Sequence, residues 1–182
     1  MQPTTISSWA LLIWKAVESY GRDPRSLFEQ AGLDPDKLRD ANGRYPISAL
    51  TRLWRLAARA TGDEHLGLTA ARFLHPTTLH ALGYSWLASD TLKEAFERVV
   101  RYHRIVSDGF EAQLHTSADG YRFVMRRSDS VVAADEALDA AVERLLCLSR
   151  QLLSSLKRPC SLIRAGSHEC IQVSLTAALI RR

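Results

Sequence analysis

The sequence predicts an α+β fold that is mostly helical: an N-terminal array of helices, a β-hairpin or small antiparallel sheet, and a long C-terminal helix packed on it. Three observations carry this reading. Apolar residues recur at helical spacing from residue 9 to residue 106. The period then falls to two over residues 110–126, on both sides of an Asp119-Gly120 turn signal. From about residue 133 to residue 156 the helical period returns as a long leucine-rich stripe.

The elements follow in order. Trp9, Leu12, Ile13, Ala16, Val17 and Tyr20 share one helical face, and Gly21 closes it. Asp23-Pro24 and Asp34-Pro35 each place an N-cap before a proline at the first helical position. Pro46 opens a longer helix with Leu50, Leu53, Trp54, Ala57 and Ala58 facing inward, and Gly62 ends it. Arg52, Arg55 and Arg59 lie on its other side and read as a solvated face. Helices are expected over residues 64–74 and 77–88, separated by Pro76. Thr91 and Glu94 have the spacing of a capping box before the stripe Leu92, Ala95, Phe96, Val99, His103 and Val106. In the hairpin, Phe110, Ala112 and Leu114 form one apolar row and Tyr121, Phe123 and Met125 the other. A lone hairpin is marginal in water, so it needs a further strand or a covering helix. Leu138, Ala141, Val142, Leu145, Leu148, Leu152 and Leu156 line the last helix, and Leu146 and Leu153 widen its stripe. Beyond Pro159 the pattern weakens; Ile171, Val173 and Leu175 are consistent with one short strand.

Composition bounds the function. The 182 residues are 46% hydrophobic and 24% charged, which suits a globular chain large enough for one real core. No apolar run approaches the roughly 20 residues of a membrane span. The apolar stretch 9–14 has no basic prelude and is followed by Lys15 and Glu18, so it reads as an amphipathic helix and not as a secretory signal. Cys147, Cys160 and Cys170 are an odd set without CxxC spacing, which points to a reducing, cytoplasmic setting. Cys147, in an apolar pattern, is expected to be a small buried hydrophobe. The net charge of +4 lies wholly beyond residue 155, where five basic residues face one acid; residues 1–155 are neutral. A folded DNA-reading domain concentrates positive charge on one face, and this one does not.

The chemistry of catalysis is missing. His75 and His80 are separated by Pro76 and lack the i, i+4 spacing of a helical metal pair. No GxSxG, P-loop or GxGxxG occurs, and the carboxylate pairs sit on solvated helix faces. Neither a catalytic residue, a metal ligand nor a cofactor is expected. Residues 81–104 read as helix, turn, helix, but the second helix begins with Thr91, Glu94 and Glu97 beside a single Lys93, the wrong chemistry for reading bases.

Residues 74–108, LHPTTLHALGYSWLASDTLKEAFERVVRYHRIVSD, resemble the signature region of the N-terminal effector-binding, arabinose-binding-like domain of AraC/XylS-type transcription regulators. The opening ISSWALLIWKAVESYGRDPRSLFEQAGLDP and the stretch YPISALTRLWRLAARATGDEHLGLTAA are similar to the same branch, that of the ornithine-utilisation regulators. The resemblance covers about residues 5–157. It implies an effector-binding and dimerisation domain over residues 1–158, a small-molecule effector such as an amino acid, a fatty acid or a signal molecule, and a homodimer. It also implies a C-terminal helix-turn-helix domain that carries DNA binding. Nothing after Pro159 resembles that domain, so residues 159–182 read as a poorly patterned tail, as expected of a fragment or of a product whose reading frame changes near residue 158.

The pocket is expected between the helical half and the hairpin, lined or flanked by Tyr84, Trp86, Tyr102, His103, Tyr121 and Phe123, where aromatics cluster as helix gives way to sheet. Leu146 and Leu153 are the expected dimer contacts, because the last helix is apolar over more than one packing face. The competing reading is a ligand-free interaction domain, which predicts a solid core in place of a cavity.

Overall fold

Proline and glycine punctuation divides the first half of the chain into short helices. The computed structural model describes residues 2–117, 120–129, 132–155, 162–167 and 170–176. Strand β1 (Thr4–Ile6) leads into α1 (Ser7–Ser19), then α2 (Pro24–Gln30), a 3-10 turn (Pro35–Arg39), β2 (Arg44–Pro46), α3 (Ile47–Thr61) and α4 (Leu66–Ala71). Asp23 caps α2 by accepting from the backbone N–H of Arg25 at 3.0 Å, and Asp34 caps the 3-10 turn by accepting from Asp36 N–H at 3.0 Å. Gly62 takes φ 70° at the end of α3, a left-handed cap that glycine adopts without a Cβ penalty. The helix expected over 64–74 is shorter than its pattern, ending at Ala71.

The segment expected as one helix over 77–88 is split. Pro76–Leu79 form a 3-10 turn and α5 (His80–Leu87) starts afresh, with His80 at φ 51°. The reason is a close approach: a Cβ on Gly83 would collide with the Pro76 carbonyl, so the turn folds back on α5. His80 Nε2 lies 3.1 Å from Ser8 Oγ, and Ser8 Oγ donates to the Thr78 carbonyl at 2.8 Å, tying this joint to α1. Helix α6 (Leu92–Val106) begins at the foreseen cap: Thr91 Oγ1 accepts from Glu94 N–H at 3.1 Å. The glutamate reaches back to Asp90 N–H at 2.9 Å, one residue earlier than the usual reciprocal bond.

Strands β3 (Phe110–Ser117) and β4 (Gly120–Arg127) pair antiparallel, with Ala112 opposite Met125 and Leu114 opposite Phe123. The expected apolar rows therefore share one face. Gly120 belongs to β4, opposite Ser117, which moves the two-residue connection to 118–119; Asp119 lies outside the described residues. Residues 162–176 include two strands in place of the one short strand expected. β5 (Leu162–Ser167) and β6 (Cys170–Thr176) pair with each other, and β6 pairs with β4, giving the antiparallel order β3-β4-β6-β5. β5, at the edge of this sheet, carries no clean alternation of polar and apolar residues, which is why the sequence pattern missed it.

Helix α7 (Asp135–Ser155) is the long C-terminal helix; Leu156, Cys160 and the basic residues Lys157, Arg158, Arg181 and Arg182 lie outside the described residues. Its nearest backbone neighbour is α4, where Gly67 meets the Glu136 carbonyl so closely that a Cβ would not fit. Leu138, Val142, Leu145, Leu146, Leu148, Leu152 and Leu153 are all buried. Cys147 is only partly buried, and its thiol donates to Glu143 Oε1 at 3.4 Å. The N-terminal strand is pinned at a distance in sequence. Asp108 accepts from Thr4 N–H at 3.0 Å, and Arg44 Nη1 donates to the Ile105 carbonyl at 2.8 Å while Arg44 Nε donates to Thr4 Oγ1 at 2.7 Å.

Candidate functional site: a buried amphiphilic cavity

The helical half, the hairpin and α7 do not close completely on one another. They leave a partly open cavity of about 80 Å³, which is room for roughly five to eight water-sized spheres. Trp9 of α1, Leu82 and Trp86 of α5, and Val99, His103 and Val106 of α6 form one side. Phe110, Ala112 and Met125 of the hairpin form a second, and Ala141, Arg144, Leu145 and Leu148 of α7 close it. Most of this wall is hydrocarbon.

Three nitrogens of its lining residues are sealed behind it. Trp86 Nε1, His103 Nε2 and Arg144 Nε are buried with no hydrogen-bond partner among the described residues. Buried polar atoms are almost always satisfied, and each one left bare costs about 1–3 kcal/mol. A fourth such atom, Trp54 Nε1, lines an adjoining cavity of about 20 Å³ that shares Trp9, Ser107 and Phe110 with the first.

Each polar group has a definable character. His103 Nδ1 lies 3.1 Å from the Val100 carbonyl. A carbonyl only accepts, so Nδ1 carries the proton; Nε2 is an acceptor in the neutral ring and a second donor in the charged one. The indole N–H of Trp86 only donates. Trp86 is held rigidly, edge-on to Phe96 with ring centroids 5.1 Å apart. Arg144 is half-buried and has no carboxylate within ion-pair distance among the described residues; burial lowers its pKa, offset in part by Cys147.

The expected site residues separate into three groups. Trp86 and His103 line the cavity. Phe123 lies one layer behind, 1% exposed, its ring 4.5 Å from Phe96. Tyr84, Tyr102 and Tyr121 are elsewhere. Tyr84 is 59% exposed because it is two residues from Trp86, about 200° around the same helix. Tyr102 is 41% exposed beside Arg101, and Tyr121 sits toward the hairpin tip under the Lys93 ammonium, 5.8 Å from its ring centre. Leu146 and Leu153, the expected dimer contacts, are 4% and 0% exposed in the single chain and pack in its core, and the exposed residues among those described in α7 are Asp135, Arg150, Gln151 and Ser154. Arg144 was not among the expected residues, although it stands three residues after Ala141 and four before Leu148, inside the apolar stripe.

Among the described residues no group of three or more His, Cys, Asp or Glu side chains stands ready to hold a metal, and no helix is long and apolar enough to cross a membrane. A mostly apolar chamber is the usual form of a small-molecule site. Residues 21–162 match the family described as the arabinose-binding domain of AraC transcription regulators, N-terminal, and the chain belongs to that family. The family is one of transcription regulators and not of enzymes. A curated relative, the ornithine utilization regulator of Pseudomonas aeruginosa, is 27% identical over 146 residues, which is 77% of this chain and 42% of that protein. The chain thus spans less than half the length of this relative.

Proposed function

We propose that this chain is the ligand-sensing and dimerisation domain of an AraC-type transcription regulator, acting in the cytoplasm, and that its effector is a small molecule such as an amino acid, a fatty acid or a signal molecule. The observation that carries the reading is the cavity itself: a mostly apolar chamber where α1, α5, α6, the hairpin and α7 meet. A domain that only mediated assembly would gain stability by filling this space. Real proteins give up local stability where function requires it. An effector here touches both halves of the domain and α7 at once, so binding biases how they pack against each other.

A thermal-shift screen of the 182-residue chain against amino acids, fatty acids and acyl-lactones tests this. A ligand that binds only the folded state raises Tm, by an amount that grows with its concentration. We expect a hit whose effect disappears in Ala141→Leu, which fills the cavity from α7. The reading fails when the screen yields no hit, or when every hit acts equally on wild type and on Ala141→Leu.

A further inference from the structure

The wall of the cavity also decides which part of an effector enters it. Resting on the reading that this cavity is the effector site, we propose that it takes a bare hydrocarbon group of about five to eight carbons, a short alkyl chain or a small ring, and that any polar end of the ligand stays at the open side.

The surface offered to a ligand comes first. Leu79, Leu82, Val99, Met125, Leu145 and Leu148 give the wall an almost wholly hydrocarbon character. The polar atoms of the lining residues do not change it. Trp86 Nε1, His103 Nε2 and Arg144 Nε have essentially no accessible surface, so a ligand meets none of them unless the wall first rearranges. Ser107 Oγ is already engaged: it shares a hydrogen bond with Thr5 Oγ1 at 2.8 Å and accepts from the Gly109 N–H at 3.1 Å. Volume sets the size of the group. About 80 Å³ holds roughly five to eight water-sized spheres, and a methylene fills about the room of one water.

Selectivity then works by subtraction. A ligand hydroxyl carried into this space loses its water and finds no partner, which weakens binding severalfold; a charged group loses far more. Water itself is poorly served, since a buried water needs about two to four polar partners. An entering alkyl group therefore displaces little bound water and makes the dispersion contacts that the empty wall lacks. A polyol or the charged end of an amino acid is kept out of the interior. Discrimination between effectors rests on the length and bulk of their apolar part.

The test titrates the 182-residue chain with straight-chain alcohols from butan-1-ol to decan-1-ol, with 1,6-hexanediol and with xylitol. Tryptophan fluorescence reads binding, because Trp9 and Trp86 line the cavity. Hexan-1-ol is expected to bind at least about fivefold more tightly than 1,6-hexanediol, which must bury a hydroxyl at either end. Affinity should rise by about fourfold per methylene from butan-1-ol to hexan-1-ol and level off by about octan-1-ol, when the space is full. Xylitol should give no change. Ala141→Leu, and Ala112→Val from the hairpin side, should each weaken hexan-1-ol. A smaller gap between hexan-1-ol and the diol overturns the proposal, as does binding of xylitol that either variant blocks; both leave the cavity as the site of a polar effector. Affinity that keeps climbing to decan-1-ol, or hexan-1-ol binding that neither folded variant weakens, overturns it too. Failure of every alcohol, when the wider screen yields a hit blocked by Ala141→Leu, overturns the hydrocarbon reading alone. Absence of any such hit overturns the cavity reading with it.

Discussion

Tyr45 shows how one buried hydroxyl gives this domain an alkaline limit. Its ring is 1% exposed and its hydroxyl donates to the Asp34 carbonyl at 2.6 Å. Burial first, and then the nearby charges of Asp34 and Asp36, push its pKa up to about 12. The folded state thus holds the proton more tightly than the unfolded chain, where a tyrosine titrates near 10. Its contribution is complete below about pH 10 and is lost as pH rises toward about 12, a decline on the order of 2 kcal/mol. Urea unfolding across this range should show the decline in wild type and a flatter profile in Tyr45→Phe. At neutral pH the same variant should lose about 1 kcal/mol, because the Asp34 carbonyl is left without its donor. Asp63 sets the opposite limit. Burial alone would raise its pKa, but hydrogen bonds from Tyr20, Thr69 and the His65 backbone outweigh it and hold it low. The stability it supplies is present above the ordinary carboxylate range and falls away as acid is added.

At the level of elements, the contact of α4 with α7 rests on an absent side chain. A methyl group on Gly67 would run into the Glu136 backbone, which cannot yield without moving the start of α7. Gly67→Ala should therefore cost about 1–3 kcal/mol, in spite of alanine's better helix propensity. The measurement is a lower urea midpoint at unchanged slope. This contact also marks what the sequence hides. The helix stripes, the aspartate–proline starts, the Thr91 cap and the facing apolar rows of the hairpin were all legible, because each is written within a few residues. The break at His80 was not legible, since it depends on Gly83 packing against Pro76. Nor was the share of α1 and α7 in the cavity wall, which depends on how elements distant in sequence meet. Trp86 and His103, picked because they stand at the junction of helix and sheet, both line the cavity. Tyr84 and Tyr102 are exposed instead, since closeness in sequence along a helix often places side chains on opposite faces.

Across the whole molecule, the width of the apolar stripe on α7 matches the central place of this helix in the chain. Leu146 and Leu153 are inside the core, with α4, α3 and α6 among the neighbours of their helix. Leu146→Ala and Leu153→Ala should each lower unfolding stability by about 2–5 kcal/mol. Light scattering of the folded variants should show the same association state as wild type, whatever that state is. A variant that stays as stable as wild type but shifts toward monomer would place a leucine at a subunit contact after all.

The bond between Thr4 and Asp108 joins residues 104 positions apart, and this distance has a meaning in time. The first strand of the domain leaves the ribosome long before its partner exists. At about 5–20 residues per second, the wait is roughly 5–20 s. Helix α7, which supplies one wall of the core, arrives later still. During that interval α1 and α3 have only part of their apolar faces covered. The N-terminal elements therefore reach their final contacts only after most of the chain has been made.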